Sequence, residues 1–398
     1  MLHARLAELA TFGATAEGID RPLFSAAEHA ARARFTAWAA TAGLSVEQDR
    51  VGNVFARLAG REPGPPVQCG SHLDTVRNGG AYGVVGGLAA LERIAASGEP
   101  PKRALEAVAW AGEEGSRFPL GCLGSSVYAG LTTYDEVALL VGDDGAVFAD
   151  AVRGPHGLLA QIPVRDGCAA PAAYLELHIE QGPVLEARGV RLGVVTAIAG
   201  QRRLQVTIEG TAGHAGTIPM TDRADALCAA SELVLTLERA ARAVSDAVAT
   251  VGMLNVDPNQ TNIVPGRVVF RVDIRAVDDA RVLEIERLLR EAAAAIVPIR
   301  RVQVRVEGLE ARAAVPMDGR LREIVRAACR PLDPHAIDIA SGAGHDAMCV
   351  AHVAPAAMIF VPSIGGRSHV GDERTAPADL ELGVNALAAA LRAAAEAC

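Results

Sequence analysis

The chain has 398 residues, half of them hydrophobic and 21% charged, with a formal net charge of −9. That length suffices for two domains around a substantial core, and the composition excludes a disordered chain. The acidic balance argues against nucleic acid or an anionic membrane as the main partner. Lys102 is the only lysine, and the arginines do not cluster into a patch. Met1 to Leu6 lacks the continuous apolar run of a signal peptide, and no segment is apolar for long enough to span a bilayer. Seven cysteines, an odd number without CxxC spacing, point to reduced thiols and a cytoplasmic location. Cys69 and Cys122 read as small buried hydrophobes.

In chain order, Ser25 to Ala42 has helical spacing, with Phe24, Ala27, Ala31, Phe35 and Trp38 on one side. Short apolar runs then precede residues able to do chemistry. Val67 to Cys69 leads into Gly70-Ser71-His72-Leu73-Asp74-Thr75, and Ala104 to Trp110 leads into Glu113-Glu114-Gly115-Ser116-Arg117-Phe118. Tyr174 to His178 opens into Glu180-Gln181-Gly182-Pro183, and Ala357 to Val361 precedes Ser368-His369. Such runs alternating with helical stretches predict an α/β domain whose functional groups emerge at strand ends.

Between Gln201 and Arg312 the pattern changes. Leu204, Val206 and Ile208 alternate as a strand, Arg223 to Val244 reads as a helix, and Val248 to Val256 and Arg267 to Val277 read as strands. Ala280 to Ile296 is a second helix and Val302 to Val306 a last strand. This β-α-β-β-α-β order is that of a ferredoxin-like sandwich, inserted between flanking chemical motifs. The expected organisation is 1–200 with 313–398 as one α/β domain and 201–312 as the insertion.

Imidazoles and carboxylates at these positions suit zinc, manganese, cobalt or nickel. Alone, the pair Glu113-Glu114 reads as a solvated acidic turn and His178 as a structural histidine; the neighbouring motifs favour chemistry for both. Arg275 shares a strand face with Arg271 and Asp273, and its guanidinium has the geometry for a carboxylate. His345 and Asp346, in the glycine-rich Ser341 to Ala347 loop, can bind substrate or hold the loop in shape. His3, His29, His156, His335 and His352 fall outside any motif.

Together, EEGSRF, HIEQGP, GHAGTxPM, the NIVPG turn and SGAGHDA resemble the M20 metallopeptidase superfamily, over nearly the whole chain. They are most similar to its amidase branch of N-carbamoyl-L-amino-acid hydrolases, β-ureidopropionases and allantoate amidohydrolases. The resemblance implies a two-domain fold, with a metallopeptidase-like catalytic domain and an inserted lid and dimerisation domain. It implies that His72 and His178 bind one divalent ion, and Glu114 and His369 a second. Glu113 would take a proton from the attacking water and return it to the leaving nitrogen. Asp74 would hydrogen-bond the His72 imidazole and fix its tautomer. His214, Asn262 and Arg275 would contact substrate, His214 polarising the scissile carbonyl. Gln181 and Arg275 would grip the amide and carboxylate ends of a small substrate, and His345 would line its site. A homodimer is implied as well.

The chain departs from this pattern at one place. Family members read roughly GGxFDGxxGVLAxLE, whereas this chain reads Gly79-Gly80-Ala81-Tyr82-Gly83-Val84-Val85-Gly86-Gly87-Leu88-Ala89-Ala90-Leu91-Glu92. It is one residue shorter and lacks the aspartate that bridges the two ions. Two dications ~3.5 Å apart repel by roughly 19 kcal/mol at an effective dielectric of ~20, so losing the bridge matters. Asp74 could move into the gap, one ion could remain, or none. The leading expectation is a metal-activated amidohydrolase cleaving a C–N bond of an N-carbamoyl or related N-acyl amino acid. The alternatives are a metal-independent enzyme using Glu113, His214 and Arg275, or a non-catalytic protein binding a small carboxylate.

Overall fold

The structure, a computed structural model, describes residues 1–76, 81–165, 167 and 169–398. Gly79 and Gly80 of the shortened glycine segment lie outside the described residues. In chain order the main elements begin with α1 (Leu2–Thr11), α2 (Ala26–Thr41), β1 (Ser45–Gln48), β2 (Val54–Leu58) and β3 (Val67–His72). There follow α3 (Ala81–Ala96), β4 (Leu105–Trp110), α4 (Leu123–Tyr128), β5 (Ala173–Ile179) and β6 (Gly193–Ile198). Next come β7 (Gly200–Glu209), α5 (Ala226–Ala243), β8 (Ala247–Asp257), β9 (Arg267–Ala276), α6 (Asp279–Arg300) and β10 (Gln303–Arg312). The chain ends with α7 (Gly319–Cys329), β11 (Ile337–Ser341), α8 (Asp346–Val350), β12 (Ala356–Val361) and α9 (Pro377–Ala397). Two compact units result, Met1–Thr196 with Met317–Cys398, and Ala197–Pro316.

The first unit is built on a mixed sheet in the order β6-β12-β5-β3-β4-β2-β1, with β11 also paired to β6. Its centre is parallel, β12 with β5, β5 with β3, and β3 with β4. Those strands are buried along their whole length, which is why they read as continuous apolar runs and not as alternating ones. Phe35, Leu88, Leu175, Ile359 and Leu387 belong to one core that joins the sheet to its helices; burial of each such side chain contributes about 1.5–3 kcal/mol. The expected helix after Phe24 is α2, whose N-cap Ser25 accepts a hydrogen bond from the Glu28 amide. Because the central strands run the same way, their C-terminal ends share one edge of the sheet. His72 is the last residue of β3, His178 the last but one of β5, and Glu113-Glu114 follow three residues after β4.

The second unit is a four-stranded antiparallel sheet in the order β8-β9-β7-β10. Leu204, Phe270, Leu233 and Leu289 share its core with α5 and α6. This is the expected ferredoxin-like order, and Phe270, Val272 and Ile274 are buried while Arg271 on the other face is exposed. Two elements run further than their apolar patterns suggest. Helix α6 continues through Pro298 to Arg300, and β10 extends to Arg312 across a register shift between Gly308 and Glu310.

Candidate metal and catalytic site

The turn after β4 is shaped by two left-handed glycines, Gly112 (φ 70°) and Gly115 (φ 63°), on either side of Glu113-Glu114. A Cβ at Gly112 would lie 2.8 Å from Leu23, and one at Gly115 would lie 3.0 Å from the Gly121 amide, so only glycine fits here without displacement. Strand alternation would send adjacent side chains apart. In this turn both carboxylates instead converge on His72, and each of the three residues offers a ligand atom within 4.8 Å of the others. Glu113 Oε2 lies 3.6 Å from His72 Nε2.

Asp74 hydrogen-bonds the His72 imidazole, and does so through its main chain. The His72 Nδ1–H donates to the Asp74 backbone carbonyl at 2.9 Å, with the nearest carboxylate oxygen at 3.5 Å. The two carboxylate oxygens instead accept the backbone amides of Glu113 (3.2 Å) and Glu114 (3.1 Å). One buried residue thus fixes the His72 tautomer through its main chain and the acidic turn through its side chain.

His178 is fixed in the same way, with Nδ1 against the Ile179 carbonyl at 2.9 Å. Its ring stacks on His72 at 6.4 Å between centroids, and both histidines keep Nε2 for another partner. His369 has a positive φ of 57°. Its turn is tied by Glu373, which accepts from Ser368 Oγ (2.8 Å) and from the His369 amide (3.2 Å). This leaves His369 Nε2 3.9 Å from Glu114 Oε2. Gln181, also left-handed (φ 59°), donates from Nε2 to Ser368 Oγ at 3.0 Å. Its amide oxygen is buried and has no hydrogen-bond partner among the described residues.

The electrostatics are those of crowded carboxylates. Burial pushes Glu113 up to about 8, opposed by His72 and reinforced by Asp346, Glu114 and Asp74. Burial also raises Glu114. At His72 burial disfavours the cation, but Glu113, Asp74 and Glu114 outweigh it and hold the imidazole well above its ordinary value. Burial drops His178 to about 4, so it is a neutral nitrogen donor at neutral pH. An imidazole with a free Nε2 beside two costly buried carboxylates is a donor set that fits a divalent cation.

Residues 69–393 match the Peptidase family M20/M25/M40. The chain belongs to the M20 peptidase family. This M20 chain is 36% identical to N-carbamoyl-L-amino-acid amidohydrolase of Paenarthrobacter aurescens, over 98% of its own length and 97% of the relative's. It is 38% identical to allantoate amidohydrolase of Escherichia coli K12, over 96% and 94% of the two chains. Among solved structures, a hydantoinase/carbamoylase family amidase from Burkholderia multivorans superposes with a TM-score of 0.93 at 38% identity, covering 99% of this chain and 97% of that one.

In this M20 chain the first unit brings together His72, Asp74, Glu113, Glu114, His178, Gln181, His345 and His369. The His345 ring lies 4.7 Å from that of His178, and its Nε2 meets Ser341 Oγ at 2.8 Å, the tie that shapes its loop. In the second unit, His214 and Asn262 are neighbours. The residue pairs Gly213–Val264 and His214–Ile263 bridge, and the Ala215 amide donates to the Asn262 carbonyl at 2.9 Å. His214 Nδ1 accepts from the Gly216 amide at 3.0 Å, so its proton sits on Nε2, the tautomer able to polarise a carbonyl. Arg275 stands apart from these two on β9, where Nε and Nη2 clasp Asp273 at 2.8 and 3.1 Å.

Two residues escaped the motifs, Cys122 and Glu176. Cys122, read as filler, donates its thiol to Glu113 Oε1 at 3.4 Å. Glu176 and Asp346 are fully buried. They are held by the Ala347 amide (2.8 Å) and by Ser125 Oγ (2.6 Å); burial raises the pKa of both, and Glu176 raises Asp346 further. A signal for Glu176 existed, since a charged residue inside the apolar run of β5 needs a buried partner.

Proposed function

We propose that this protein is an amidohydrolase that cleaves the linear C–N bond of an N-carbamoyl or related ureido amino acid, dependent on a divalent metal. The observation that carries the reading is the convergence of His72, Glu113 and Glu114 within 4.8 Å at the C-terminal edge of a parallel sheet, in a chain of the M20 family. The metal ligands are drawn from His72, Glu114, His178 and His369, and a bound divalent ion would supply Lewis acidity toward water and carbonyl.

The chain's own groups do the rest. Glu113, buried and raised to about 8, is matched to taking a proton from water near neutral pH and delivering it to the departing nitrogen. Cys122 steadies that carboxylate and Asp74 sets its backbone. The Gln181 amide oxygen, without a partner among the described residues, accepts from the terminal amide of a ureido group. His214 polarises the scissile carbonyl, and Asn262 and Arg275 add substrate contacts, Arg275 to the carboxylate. We place the enzyme in the cytoplasm as a homodimer.

The test is a panel of N-carbamoyl-L-amino acids, β-ureidopropionate, allantoate and ureidoglycolate, assayed for ammonia release. The metal-loaded protein should turn over at least one of them, and chelation should abolish the rate until zinc or manganese is restored. No turnover across the panel would overturn the reading.

A further inference from the structure

We propose that the site is built for a single divalent ion on the His72–Glu114 side, and that His178 serves substrate as a hydrogen-bond acceptor instead of completing a second ion site. The proposal rests on the metal-dependent reading above and deepens it.

The charges around the two stacked imidazoles are unequal. Glu113 Oε2 lies 3.6 Å from His72 Nε2, and an Asp74 carboxylate oxygen lies 3.5 Å from its Nδ1. Among the described residues no carboxylate oxygen lies within 4.0 Å of a His178 ring nitrogen, and its nearest ring is His345, 4.7 Å away between centroids. The compact ligand group contains His72, Glu113 and Glu114 but not His178. The charges of Glu114 and of the adjacent Glu113, which stays free to move protons, balance one dication. A second, ~3.5 Å away, would be strongly repelled by the first, with no carboxylate at ion-pair distance from His178 to offset it.

The stretch of sequence that follows Asp74 does not make good the deficit. From Thr75 to Leu91 the sequence holds no Asp, Glu, His or Cys. Asp74 is committed to the amides of Glu113 and Glu114. At the start of α3 the backbone is pressed onto the sheet. A Cβ at Gly83 would lie 2.5 Å from both the Leu177 carbonyl oxygen and Ser71 Cβ, which leaves no room there for a carboxylate side chain. His178, with its proton donated to the Ile179 carbonyl, keeps a lone pair on Nε2, which suits the N–H groups of a ureido substrate.

The test is ion stoichiometry on the full chain after equilibrium dialysis against zinc and removal of loose ions, for wild type, His72→Ala and His178→Ala. The expected counts are one, none and one. Two ions on wild type, none on wild type, or loss of the ion in His178→Ala would overturn the proposal. Should His178→Ala fail to fold, as judged by circular dichroism, His178→Gln is counted in its place. With an active substrate, His178→Ala should raise KM about tenfold with a smaller effect on kcat, and His178→Gln should recover part of it. An unchanged KM would overturn the substrate role. An inactive protein holding one ion would sink the hydrolase reading alone, and an active one holding two would sink only this proposal.

Discussion

At the scale of residues, the site depends on a few groups that spend their hydrogen bonds on backbone. Asp74 is the clearest, since one carboxylate holds both amides of the acidic turn. Asp74→Asn keeps the backbone carbonyl to His72 but can serve only one amide from its side-chain oxygen. It should cost about 1–3 kcal/mol of stability, read as a lower melting temperature, and weaken zinc affinity. A near-normal zinc affinity would show that the turn is set by its glycines alone. A second carboxylate is legible in the pH dependence of stability. Asp49 lies between β1 and β2 and is pushed up to about 6 by burial, against hydrogen bonds from Asn53 and Val51. Its folded pKa is above its unfolded one, so the folded state holds the proton longer. Stability therefore falls as pH rises from about 4 to about 6, by up to ~3 kcal/mol from this group. The urea midpoint should drop across that window and the drop should shrink in Asp49→Asn. Motif reading could name His72, Glu113, Glu114, His178 and His369 because their residue types and neighbours are unusual. It could not see that Asp74 acts through its carbonyl, or that Cys122 touches Glu113, because those facts depend on three-dimensional approach and leave no spacing signature.

At the scale of elements, the parallel strands explain why the chemistry was readable and some of the helices were not. Strands β3, β4, β5 and β12 appear as apolar runs because they are buried throughout, and each delivers its motif to the same sheet edge. Helix α3 is harder to recognise, with Gly83, Gly86 and Gly87 in its first half where helix propensity is poor. The structure supplies the reason. Cβ atoms there would press on the Leu177 carbonyl, the Leu177 side chain and Cys69 Sγ at 2.5, 3.0 and 3.0 Å. Close approach of helix to sheet overrides propensity. Gly83→Ala should therefore destabilise the protein by about 1–3 kcal/mol, although alanine favours helix. A variant as stable as wild type would mean that α3 can shift outward at no cost. In the second unit the alternating pattern made β7 to β9 legible, while the continuation of α6 through Pro298 and of β10 past Gly308 carried no periodic signal.

At the scale of the whole molecule, the two units are each a complete layer architecture with its own core. The α/β class and the ferredoxin-like insertion follow from patterning, whereas assembly does not. Strand β8 is the edge of its sheet and exposes Val248 and Leu254, a surface that invites pairing. Light scattering after size exclusion should give twice the monomer mass, and Val248→Lys should reduce it toward the monomer; a monomeric wild type would contradict the proposed homodimer. The central claim is that Glu113 moves the proton during C–N hydrolysis. The most direct test compares wild type with Glu113→Gln on the substrate the panel selects, both loaded with zinc and both counted for bound ion. The account predicts an equal ion content and a kcat lowered by about 10²–10⁴-fold. Equal turnover by the two proteins, at equal ion content, would contradict it.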